Sequence, residues 1–162
     1  MYVNRGFVCL ALACASLLAG CGPRSASGPS PGGQLPIGQL QIVRGGEVKL
    51  QLEVQIADTS DERAKGLSGV AELEEGTGMA FLVELPTRNG FWMKDTLIPL
   101  DIAFWDANYE IVDIIQMEPC KPGPCVMHTP RADYLGAVEM ERGTLNSHGI
   151  QVGDLVRLLQ NR

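Results

Sequence analysis

The sequence predicts a mainly β domain, a small antiparallel sandwich or barrel with one or two short helices. Three observations lead there. Val48, Leu50, Leu52, Val54 and Ile56 alternate with Lys49, Gln51, Glu53 and Gln55, the period of a strand with one wet face. Six further short strand-like runs follow between turn signals, with no helical run long enough for a βαβ crossover. Composition agrees: 19 Gly, 10 Pro and only 20% charged residues suit a turn-rich β protein, and 45% hydrophobic residues supply a core.

In chain order, residues 1–20 read as a targeting segment. Arg5 gives a short positive region, and Gly6 to Ala19 is an uncharged, mostly apolar run of 14 residues. A helix needs about 20 residues to span a bilayer, so the run suits a signal-peptide core instead. It ends in Leu18-Ala19-Gly20-Cys21, which resembles the lipobox of bacterial lipoproteins and marks Cys21 as the lipidated first residue of the mature chain. Two or more acyl chains anchor stably, so the partner expected at this end is a membrane. Gly22 in place of an aspartate favours the periplasmic face of the outer membrane if the cell is Gram-negative. Residues 21–38 hold the lipidated cysteine and a tether. Positions 22–38 contain five Gly, four Pro and three Ser. Such a segment builds no core and spans about 20–25 Å as a flexible chain.

The folded domain is expected over 39–162. After the 48–56 strand, Thr59 and Glu62 fit a capping box and Gly66 a stop, giving a short helix over 60–65. Strands follow at 78–84, 91–94 and 100–105. Asp106-Ala107-Asn108 turns the last of these into a hairpin with 109–117. Strands at 134–140 and 155–159 close the domain, with one helical turn within 143–149.

Charge excludes one class of partner. Thirteen basic against 19 acidic residues give −6, with no basic stripe, so nucleic-acid binding is not expected. No phosphate loop, dinucleotide fingerprint, nucleophile elbow or zinc-ligand spacing occurs, and no cofactor is expected. Cys9 and Cys14 leave with the leader. Cys120 and Cys125 remain, in Cys-Lys-Pro-Gly-Pro-Cys. In an oxidising compartment their default is a disulfide. The alternative is a soft-metal site for Cu(I), with Met117, Met127 and His128 joining the two thiolates.

The densest segment is Phe91-Trp92-Met93-Lys94-Asp95-Thr96-Leu97-Ile98-Pro99-Leu100-Asp101-Ile102-Ala103-Phe104. It resembles the signature of the family called domain of unknown function 192, which reads Phe-Trp-Met-Lys-Asn-Thr and then Ile-Pro-Leu-Asp-Ile with an aromatic. Ala57-Asp58-Thr59 through Gly66-Leu67, Gly78-Met79-Ala80-Phe81, the Pro119-Cys120 to Cys125 pair, and Leu135 to Glu139 with Gly143, Gly149 and Gly153-Asp154 extend the likeness over about residues 45–160. Asp95 stands where the family usually has asparagine, and Ser68 and Val70 replace a methionine and an arginine. The resemblance implies a mostly β fold of sandwich or barrel type and no established activity.

Two readings of these residues remain open. Phe91, Trp92 and Met93 are either core packing or a partly exposed platform on which a sugar ring stacks. With Trp92 and Met93, Lys94, Asp95 and Asp101 form the candidate ligand-binding set. Asp101, between Leu100 and Ile102, is otherwise a structural carboxylate accepting from backbone N–H groups or Thr96. Glu139, between Val138 and Met140, carries the same ambiguity. Were Asp101 and Glu139 to face each other, glycosidase-like acid/base work would follow. The leading expectation is a non-catalytic, membrane-tethered envelope module for a glycan or protein partner. An envelope hydrolase using Asp101 and Glu139, and copper handling through Met117 to His128, are the alternatives.

Overall fold

A computed structural model describes residues 34–160. The leader, Cys21 and the tether up to residue 33 lie outside the described residues, as do the last two positions.

β1 (Ile37–Arg44) and β2 (Glu47–Ala57) form an antiparallel hairpin. Gly45 and Gly46 turn it, with φ of 58° and 87°, the left-handed pair that a two-residue turn between twisted strands requires. Ile37 and Gly38, expected in the tether, are already part of β1. This strand has Leu40 and Ile42 facing inward, but its alternation is too short to stand out against the Gly/Pro-rich sequence before it.

α1 (Ser60–Lys65) begins as its capping box requires. The Glu62 N–H donates to Thr59 Oγ1 at 3.3 Å, and the Glu62 carboxylate accepts from Thr59 N–H at 3.0 Å. The chain then enters β3 (Thr77–Thr87), which pairs with β2 in parallel, Val54 opposite Gly78. The sheet is therefore mixed, where antiparallel pairing throughout was expected. Parallel neighbours need a crossover of a dozen or more residues. Residues 58–76 are long enough to supply it although α1 is only six residues long.

β5 (Leu100–Trp105), β6 (Ile111–Met117), β8 (Tyr134–Glu141) and β9 (Leu155–Gln160) complete a seven-stranded sheet in the order β6-β5-β8-β3-β2-β1-β9. Its two outer strands meet at one end. Ile111 N–H donates to Asp154 O and Val156 N–H to Tyr109 O, both at 2.8 Å, so the sheet curls into a partly closed barrel. Inside lie Leu40, Ile42, Leu52, Val54, Trp105, Val138 and Met140, with Leu145 of the short helix α2 (Thr144–Ser147) packed among them.

The outer face of β3, β5 and β8 is also apolar. A two-stranded ribbon, β4 (Phe91–Trp92) with β7 (Met127–His128), and the loop carrying Leu67 lie over it. Phe91 inserts here, its ring 5.0 Å from Phe81 and 5.5 Å from Phe104, edge to face. The barrel thus has a second, smaller layer packed on its outer face. No helix among the described residues is long and apolar enough to cross a membrane.

Candidate functional site

Strand alternation assigns the two acidic candidates to opposite faces. On β8, Glu139 lies opposite Met79 of β3 and Ile102 of β5, both in the outer apolar cluster. Asp101 lies opposite Met140, which points into the barrel. Successive residues of a strand point to opposite faces, so Asp101 and Glu139 are separated by the sheet itself. The acid/base pair that a two-carboxylate hydrolase needs is not assembled.

Asp101 has a structural task. Its carboxylate accepts from Gly143 N–H at 2.9 Å, Leu145 N–H at 3.1 Å and Gln116 Nε2 at 3.2 Å. Gly143 is the N-cap of α2 and has no side chain to cap with. Asp101 supplies the cap from the neighbouring strand. Thr96 makes no bond to it.

Glu139 is the opposite case. It is 4% exposed and forms no side-chain hydrogen bond among the described residues. Burial pushes its carboxyl up to about 8, so at pH 7 it is mostly the neutral acid, a hydrogen-bond donor without an acceptor. Thr96, 7% exposed, also has a hydroxyl with no protein partner among the described residues. Both groups line one narrow cleft of about 30 Å³, walled by Phe81 and Phe91. Trp92 stands at its mouth, 48% exposed, with Lys94 Nζ 5.5 Å from the indole centroid. Arg63 and Lys65 of α1 border the other side. Arg63 is fixed in place because its Nη1 donates to Asp58 O and, at 2.9 Å, to Leu82 O.

Of the residues singled out from the sequence, the cleft gathers Trp92, Lys94 and Glu139. Met93 is buried in the outer cluster and packs. Asp95 is an exposed turn residue with φ 57°, its carbonyl accepting from Gly69 N–H at 2.8 Å. Met93, Asp95 and Asp101 therefore do not line the cleft. Thr96, Arg63 and Lys65 do, and sequence reasoning missed them as site residues. Thr96 lay inside the dense motif, but only the fold brings α1 beside it.

The cysteine pair is bonded, Cys120 to Cys125, with Cα atoms 5.2 Å apart. This corrects the copper alternative, since both thiolates are consumed. Met117 is sealed in the outer cluster, and His128 is partly exposed. Among the described residues no group of three His, Cys, Asp or Glu side chains could hold a metal ion.

Comparison with known proteins gives a consistent result. The model of the DUF192 family, described as uncharacterized, matches residues 41–158. The UPF0127 protein PH1112 of Pyrococcus horikoshii is 28% identical over 110 residues, covering 65% of this chain and 86% of that protein. A crystal structure of a protein of unknown function from Novosphingobium aromaticivorans is 30% identical with a TM-score of 0.68, covering 76% of this chain and 86% of that one. A Sinorhizobium meliloti structure, named as a candidate transcription regulator, is 22% identical with a TM-score of 0.71 over 77% of this chain and 95% of that one. At that identity the likeness shows the fold alone.

Proposed function

The chain belongs to the DUF192 family, and we propose that it is a non-catalytic ligand-binding module, tethered to the cell envelope through Cys21, that takes an envelope glycan at the Trp92–Glu139 cleft. One observation carries the reading. Two polar side chains, each more than nine-tenths buried, line a cleft without a protein partner, beneath a half-exposed indole. Neither group is a sealed, unsatisfied one, since Arg142 Nε is the one such side-chain atom among the described residues, so both open onto the cleft and can meet a ligand bearing hydrogen-bonding groups there. An indole beside a polar cleft is the usual arrangement for holding a sugar ring by its face.

Glu139 is the only acidic residue lining the cleft, which favours binding over two-carboxylate hydrolysis. The acidic net charge argues against a nucleic-acid partner. The lipobox and the Gly/Pro/Ser segment support a tethered position facing the envelope.

The test is a titration of soluble envelope sugars, N-acetylglucosamine and N-acetylmuramic acid, read by tryptophan fluorescence and calorimetry. Saturable binding is expected, with at least a 10-fold loss in Trp92→Ala. Stability of that variant should stay within about 0.5 kcal/mol, because the side chain is half exposed. Cys21→Ser should move the protein from the membrane to the soluble fraction and leave the binding intact. The absence of saturable binding in the folded wild type would overturn the glycan reading.

A further inference from the structure

The cleft differs in charge from the rest of the molecule. The chain carries −6, yet three cations, Arg63, Lys65 and Lys94, border this one opening. Five ion pairs occur among the described residues, and none of the three takes part in one. Glu139 and Thr96 can both donate a hydrogen bond inward. The group that suits such a lining is one that only accepts and carries negative charge. The half-exposed indole beside the cations favours an anion carried on a ring over a free inorganic ion.

Resting on the binding reading above, we propose that the cleft selects the carboxylate of an acidic sugar, with Glu139 as the neutral donor to it. One carboxylate oxygen accepts from the Glu139 O–H and the Thr96 hydroxyl. The other faces the cations at the mouth, while the sugar ring leans on Trp92. A hydrogen bond from a neutral acid to a carboxylate is charge-assisted and among the stronger kinds.

The arrangement works only while Glu139 keeps its proton. Met79 and Ile102, its cross-strand neighbours on β3 and β5, are uncharged. Arg63 and Lys65 face the cleft from α1, and Lys94 from the segment after β4. Glu141, two positions along β8, is exposed and outside the cleft. Burial holds the Glu139 carboxyl at about 8, so raising the pH through that value removes the donor and places two anions together.

The test is calorimetric titration with N-acetylmuramic acid, its carboxyl methyl ester, N-acetylglucosamine and inorganic phosphate at pH 6.5 and pH 9. The acid should bind at least 10-fold more tightly than the ester, the neutral sugar or phosphate. Its affinity should fall about 10-fold between the two pH values in the wild type, as the neutral fraction falls to about a tenth. Glu139→Gln keeps a donor without the titration and should hold its affinity within about twofold. Equal binding of acid and ester would overturn the carboxylate inference and leave the binding module standing. Phosphate binding as tight as the acid, or an unchanged affinity at pH 9, would also overturn it. N-acetylmuramic acid binding that survives Glu139→Leu but not Trp92→Ala would likewise overturn the carboxylate inference and leave the binding module standing.

Discussion

Glu139→Gln should make the protein more stable than wild type at alkaline pH, by an amount that grows with pH. The sign follows from proton linkage. The Glu139 carboxyl sits at about 8 in the folded protein and at an ordinary 4.5 when the chain unfolds. Between those values the folded state holds a proton that the unfolded state has released, so stability falls as pH rises across the window. Above pH 8 the penalty is complete. At about 1.4 kcal/mol per pH unit, wild type should lose about 4 kcal/mol relative to Glu139→Gln between pH 5 and pH 9. Urea unfolding of both proteins at the two pH values measures it.

Other carboxylates do not confuse the comparison. Burial pushes Asp113 and Asp154 upward, but hydrogen bonds from Arg131 and Arg44 outweigh it and hold both below the usual range. The stability they contribute is present above 3.8 and is lost as the pH falls below it, outside the window. A wild type that gains or keeps stability relative to the variant toward pH 9 would show Glu139 to be partnered or solvated.

Asp101→Ala should be destabilising for a different reason. The carboxylate satisfies two backbone N–H groups, of Gly143 and Leu145, and one of them is fully buried. Its removal strands both at the start of α2 and loosens Leu145, which helps fill the barrel. At about 1–3 kcal/mol per buried unpaired group, a loss of about 3 kcal/mol is expected by urea unfolding. Asp101→Asn, which keeps an acceptor oxygen, should recover part of it. N-acetylmuramic acid affinity should be unchanged in any Asp101 variant that remains folded, because the side chain is on the far face of the sheet. A loss of affinity with full stability would return Asp101 to the site.

What was legible in the sequence was local. The alternation of Val48 to Ile56 gave β2. The Thr59–Glu62 box gave α1, and the Cys120–Cys125 spacing gave the loop bridge. Each depends on residues a few positions apart. The parallel pairing of β2 with β3 was hidden because the crossover runs through a loop with one short helix, which has no periodicity to announce it. Glu139 shows the same limit. Its place between Val138 and Met140 says that it points away from them. Only the pairing of Phe91 with His128, 37 positions on, shows that the outer face is itself covered. Trp92 and Lys94 were visible as an aromatic and a cation in one motif. Arg63 and Lys65 belong to a surface helix whose position depends on that crossover, and Thr96 read equally well as a partner for Asp101.

The central claim is that Glu139 is a neutral, unpartnered acid lining a ligand cleft. Site-specific ¹³C NMR of its carboxyl carbon across pH 3 to 10 tests this most directly. A midpoint near 8 that moves further upward when N-acetylmuramic acid is added is the expected result. A midpoint near the usual 4.5, with or without the sugar, would mean an ordinary solvated carboxylate and would contradict the account.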